Sequence, residues 1–139
     1  MTAPARMDRA EEQAGSMAAT TDNPSVPTEV PGRSHYNLDY VRSGRLHSFA
    51  HQMEAVLEFQ PTSVLEVGVG TGVVAAGLRA LGVQVRTLDL QPELHPDLVG
   101  SITAVPADDS AFDVVSCCQV LEHLPVDAVG EALKEIVRV

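Results

Sequence analysis

The sequence predicts an α/β fold, an open parallel sheet with helices on both faces. Three observations predict it. Ser63-Val-Leu-Glu-Val-Gly-Val-Gly-Thr-Gly72 runs a short apolar strand into three alternate glycines, and an Ala- and Leu-rich helical stretch follows at once. Further short apolar or β-branched runs stand at 83–88, 98–105 and 112–118, each bounded by turn residues. The last of them, Phe112-Asp-Val-Val-Ser-Cys-Cys118, is almost continuously apolar, as a strand covered on both faces is.

The bulk numbers are compatible with one such domain. A chain of 139 residues with 45% hydrophobic content can bury a core. Its 19 acidic residues against 9 basic ones give a formal charge of -10, which repels phosphate backbones and argues against nucleic acid as a partner. No apolar run approaches the ~20 residues of a membrane helix, and the Glu11–Glu12 region has no secretory signal, so a cytoplasmic location is expected. Cys117 and Cys118 are neighbours whose side chains point to opposite faces of a strand, which predicts buried thiols and no disulfide.

Taken in order, residues 1–33 carry too few large apolar side chains to offset the entropy of ordering and are expected to form a disordered tail, with a short helix possible at 9–19. The folded domain is expected over 34–139. His35, Tyr36, Tyr40 and Arg42 gather before a helix that Ser43 is placed to cap, and Leu46, Phe49, Ala50, Met53, Val56 and Leu57 form its inward stripe. The first strand ends on Glu66 and Val67, and Gly68, Gly70 and Gly72 follow. They permit backbone angles that a Cβ disfavours and let a ligand touch bare main chain. The helix after them, 73–81, lays Val74, Leu78 and Leu81 on one side and presents its positive end to the turn. An anion at that helix and a cation at the Glu66 carboxylate describe an amino-acid zwitterion. A dinucleotide fingerprint would place its third glycine at position 73, where this chain has Val73, so a nicotinamide cofactor is disfavoured.

Gly82 ends that helix, 83–88 reads as the second strand, and Asp89 sits at its carboxyl end, seventeen residues beyond Gly72. That offset is near the one at which an acid meets a ribose, and one carboxylate can accept from both vicinal hydroxyls. A Pro-punctuated connection leads to a short third strand within 98–105. Asp108 and Asp109 form a polar turn with no third ligand nearby, so no metal is expected. Asp113 caps the turn into the fourth strand. Gln119-Val-Leu-Glu-His-Leu-Pro125 then lies just past that strand, where open α/β sheets place their crevice. In the last helix, begun by Asp127, Val129, Ala132, Leu133, Ile136 and Val137 make the buried stripe.

From about Ser34 to the end, and most specifically in Val64 to Gly72 followed by Asp89 and in Cys118-Gln-Val-Leu-Glu-His-Leu-Pro125, the chain resembles the class I S-adenosylmethionine-dependent methyltransferases, in particular their small-molecule branch. The resemblance implies a Rossmann-like sheet in the order 3-2-1-4 that lacks the C-terminal strands of the full fold, and so a truncated chain, a missing segment or a homo-oligomer that covers the strand-four edge. It implies S-adenosyl-L-methionine as cofactor, held by Glu66, Gly68, Gly70, Gly72 and Asp89, with Leu90 on the adenine, Ile102 supplying backbone to it and Gln119 bordering the methionine part. Ser101 stands where relatives often carry an aspartate, and Tyr36 and Tyr40 would line the mouth. His123 is the group placed to take a proton from an acceptor. The implied function is methyl transfer to a small-molecule acceptor. The alternative is a catalytically silent cofactor- or partner-binding remnant that completes its sheet with another chain.

Overall fold

A computed structural model describes residues 32–42 and 44–139. The tail expected over 1–31, the helix at 9–19 and the Ser43 cap lie outside the described residues. The element order is a 3-10 turn at Arg33–His35, α1 (Leu38–Arg42), α2 (Arg45–Leu57), β1 (Ser63–Val67), α3 (Val73–Ala80), β2 (Gln84–Asp89), a 3-10 turn at Pro92–Leu94, β3 (Leu98–Val99), β4 (Val114–Cys117), a 3-10 turn at Leu121–His123, and α4 (Val126–Arg138). The four strands form one parallel sheet in the order β3-β2-β1-β4.

β1 is central because it is apolar on both faces. Val64 packs with Val56 of α2, with Val74, Ala75 and Leu78 of α3, and with Val85. One residue on, Leu65 and Val67 point the other way and pack with Leu88, Ile102, Val105, Ala132 and Val139. Leu65, Leu78, Leu88 and Val64 are the largest fully buried side chains, each contributing about 1.5–3 kcal/mol on removal from water. α3 stops where Gly82, at φ +90°, takes the left-handed conformation. The Gly82 N–H then reaches the Arg79 carbonyl and the Val83 N–H the Leu78 carbonyl, closing the helix end.

Several expectations are corrected. Leu81 is the C-cap of α3 and 64% exposed, and Ala75 takes its place in the stripe. The second strand begins at Gln84, the third has two residues, and the fourth is half-buried because β1 pairs with only one of its edges. Leu133 and Val137 of α4 are 48% and 86% exposed, and the buried arc centres on Ala132. In α2 the inward arc is turned by about one residue, so Leu46 and Ala50 are exposed while Phe49 and Val56 face in. Gly44, at φ +84°, precedes α2. Cys118 is exposed. Asp113 is structural, accepting the Thr62 and Ser63 N–H groups at 2.8 Å each.

The far end of the sheet is closed by α4. Arg138 donates to the carbonyls of Val105 and Ala107, to both carboxylate oxygens of Glu135 and to Asp109, over 2.7–2.9 Å. Glu135 in turn accepts the Val105 N–H at 2.8 Å.

Candidate functional site

The carboxyl ends of the strands open into a cavity of about 310 Å³. Parallel strands direct unpaired main chain there, and the turns leaving β1, β2 and β4 supply its walls. Glu66, Gly68, Gly70, Asp89, Leu90, Ile102, Gln119 and His123 all line it. Gly72 does not, and instead starts α3 at φ +72°.

The glycine turn is fixed by its neighbours. The Gly68 N–H donates to the Leu88 carbonyl at 2.8 Å, and the Val69 N–H to Asp89 Oδ2 at 2.9 Å. Asp89 Oδ1 accepts the Gln91 N–H at 3.0 Å, so this carboxylate pins the turn with one oxygen and its own loop with the other. Each oxygen keeps a second lone pair for a ligand. Gly68 lies at φ +86°, and a Cβ there would stand 2.8 Å from Val120 Cγ2. A Cβ on Gly70, at φ +51°, would meet the Tyr36 ring at 3.7 Å. Bare main chain is thus required on geometric grounds at Gly68 and leaves room beneath Tyr36 at Gly70.

Glu66 is 7% exposed, on the β1 face covered by α2 and α3. Burial pushes its carboxyl up to about 7, with the Ala75 N–H and the Arg79 charge acting the other way. Its Oε2 is buried with no hydrogen-bond partner. Arg45 Nη1 is the other such side-chain atom among the described residues, and Arg45 lines the same cavity. Its guanidinium lies 3.8 Å over the Tyr40 ring. His35, Tyr36 and Tyr40 stand edge-to-face with ring centroids 5.0–5.3 Å apart and roof the cavity. Burial, then Tyr40 and Asp89, raise the Tyr36 hydroxyl above its ordinary range.

Sequence reasoning missed Arg45 and Gln52. They share one arc of α2 with Phe49 and Val56, at spacings of four, three and four, and a search for apolar stripes passes over polar members of an arc. Ser101 is occupied locally, its hydroxyl 2.8 Å from Thr103 Oγ1, and Ile102 is 4% exposed with its side chain in the core. Gln119 holds φ +58°, a left-handed conformation that a non-glycine residue adopts at a cost of about 1–2 kcal/mol. His123 is exposed at the rim, on the 3-10 turn after β4.

The sheet order, the glycine turn and an acid at the carboxyl end of each of the first two strands define a class I S-adenosylmethionine-dependent methyltransferase fold. A family model described as "Methyltransferase domain" matches residues 65–139, and the chain belongs to that family. Among curated proteins it is 33% identical over 88 residues to a ubiquinone biosynthesis O-methyltransferase of Xanthomonas oryzae pv. oryzae, covering 52% of this chain and 37% of that protein. It is 27% identical over 108 residues to the Burkholderia vietnamiensis protein of the same name, covering 67% and 44% respectively. The chain therefore spans less than half the length of these relatives. A crystal structure from Methanococcus maripaludis, described as a candidate S-adenosyl-L-methionine-dependent methyltransferase, shares the fold with TM-score 0.55 at 16% identity, over 79% of this chain and 62% of that one.

The cofactor of this class is S-adenosyl-L-methionine. The residues present suit it: an acid and an arginine that each keep an unpartnered buried atom line one cavity with bare main chain and the Asp89 carboxylate. Among the described residues no helix is long and apolar enough to cross a membrane.

Proposed function

We propose that the chain binds S-adenosyl-L-methionine in this cavity and transfers its methyl group to a small-molecule acceptor. One observation carries the reading: among the described residues the two buried side-chain atoms without partners, Glu66 Oε2 and Arg45 Nη1, belong to residues that line the same cavity and have opposite charge preference. An α-amino acid presents the complementary pair, an ammonium for Glu66 and a carboxylate for Arg45. Gly68 and Gly70 give the ligand bare main chain, Asp89 accepts from the ribose hydroxyls, Leu90 covers the adenine with the Ile102 backbone beside it, and Gln119 borders the methionine part.

When bound, the cofactor supplies a methyl on a sulfonium, electrophilic without further activation. The chain's work is then proximity and alignment. Tyr36 and Tyr40 exclude water from above, and His123 at the rim takes the proton of the acceptor. The relatives' names, which specify O-methylation, support a hydroxyl as that acceptor. They lend nothing to the silent-remnant alternative. The open β4 edge and the exposed Leu133 and Val137 of α4 form the surface where a second chain or a further segment would pack. Action in the cytoplasm completes the reading, supported by two free thiols, Cys117 and Cys118.

Isothermal titration of the chain with S-adenosylhomocysteine tests the reading. The wild type binds, and Arg45→Met weakens binding about 10- to 50-fold, the loss of one hydrogen bond to a charged group. 5′-Methylthioadenosine, which lacks the amino-acid part, binds wild type and variant alike. A flat wild-type titration with both ligands sinks the proposal.

A further inference from the structure

Glu66 raises a question that cofactor recognition alone leaves open, namely how a buried acid exists before a cation reaches it. The Ala75 N–H acts on it, and the charged groups around it are engaged at least in part with others. From α3, Arg79 donates to the Val85 carbonyl at 2.9 Å and to Asp97 at 2.6 Å. From α2, Arg45 is stacked on Tyr40. On the neighbouring strands, Asp89 is held by the Val69 and Gln91 N–H groups and Ser116 is neutral. Cys117, one residue past Ser116, packs on the opposite face of the sheet with Leu65 and Val67. The roof contributes Tyr36, whose hydroxyl is held in its neutral form, and His35; His123 stands at the rim. Arg79 is thus paired elsewhere, and because Glu66 Oε2 and Arg45 Nη1 are both left without a hydrogen-bond partner, Arg45 does not serve Glu66 either. An unpaired buried carboxylate is costly, and a proton is the least expensive way to neutralise it.

We propose that Glu66 makes cofactor uptake an exchange of cations: its carboxylic acid loses a proton to bulk water through the cavity mouth as a ligand ammonium docks on the resulting carboxylate. Charge balances, one proton leaving for one ammonium gained. The pocket thereby selects for ligands that carry an amino-acid group and penalises the bare nucleoside. The inference rests on the cofactor reading above and adds to it a proton that binding must release.

Its size follows from the acid's position. With the carboxyl at about 7 before binding and within the ordinary carboxylate range after it, about half a proton leaves per ligand near pH 7. Affinity for an ammonium-bearing ligand then rises about tenfold between pH ~6 and ~8 and levels off above.

Titration calorimetry with S-adenosylhomocysteine in phosphate and in Tris, both near pH 7, reads the proton directly, because the two buffers take it up with different heats. The expected result is a buffer-dependent enthalpy corresponding to roughly half a proton for S-adenosylhomocysteine and none for 5′-methylthioadenosine. Glu66→Gln binds more weakly and releases none. Equal enthalpies in the two buffers, or the same release from 5′-methylthioadenosine, overturn the proposal. The comparison of two ligands on the wild-type chain stands even if the variant fails to fold. A titration flat for both ligands is a different outcome, and it overturns the cofactor reading together with this one.

Discussion

Two glutamate–arginine neighbourhoods, one at each end of the sheet, share side-chain types and differ in what is left over. Where α4 closes the fold, all five N–H groups of Arg138 have acceptors, and Glu135 is held at about 2 by Arg138 first and the Val105 N–H second. In the crevice, Glu66 and Arg45 each keep a buried atom with no partner, and burial lifts Glu66 to about 7. The first arrangement spends its polar capacity inside the chain and stabilises the fold. On the proposed function the second withholds it for a ligand, which would make stability and binding opposed at one site and independent at the other.

The largest effect is expected where capacity is fully spent. Arg138→Ala strands the Glu135 carboxylate and two carbonyls and loosens α4 from the 105–109 segment, so the melting temperature falls by roughly 15 °C. Affinity for S-adenosylhomocysteine in the protein that remains folded changes by less than about twofold, since Arg138 does not line the cavity. A large loss of affinity with little loss of stability would reverse the assignment of the two ends.

Glu66→Gln is expected to move in the opposite sense. The folded carboxyl stands above its ordinary 4.5, so the folded state binds the extra proton, and Glu66 costs stability progressively as pH rises from about 4.5 through about 7. A shift from 4.5 to about 7 corresponds to about 3 kcal/mol as a ceiling. Glutamine imitates the neutral acid, so the variant without ligand should melt higher than the wild type near pH 8 and alongside it near pH 4.5. Glu135 has the reverse sign: its contribution is present above 4.5 and is lost as pH falls through about 2. Melting curves of both chains across that range separate the two. Equal stability near pH 8 would mean that Glu66 has a partner there after all.

Much of this contrast was legible in the sequence at one end only. Strand, glycine turn and following acid are local signals, and each of Gly68, Gly70 and Asp89 could be placed from spacing alone because the backbone demands them. The strand order followed from the resemblance and agrees with the sheet. Arg45 was not legible, because its place depends on how α2 is rotated on the sheet, and a polar residue within an apolar arc carries no periodic signal. The same limit explains Leu133 and Val137. Periodicity shows that α4 has an apolar side but not how far a half-covered edge strand lets that side reach. The Arg138 cluster joins residues up to thirty-three apart in the chain, and nothing local announces it.

The smallest effect tests whether strain follows the same division. Gln119 at φ +58° lines the cavity, whereas Ser110 at φ +55° lies beside the closed end, its N–H on the Arg138 carbonyl at 2.7 Å. Replacing either by glycine relieves a left-handed non-glycine residue, which is worth about 1 kcal/mol, offset in part by the freedom glycine gains in the unfolded chain. Both variants should therefore melt within a few degrees of the wild type, slightly above it. Only Gln119→Gly should also lose affinity for S-adenosylhomocysteine, by about threefold to tenfold, because it removes an amide from the ligand's side of the cavity. If Ser110→Gly costs as much binding as Gln119→Gly, the two ends communicate through α4, and treating them as separate stores of polar capacity is wrong.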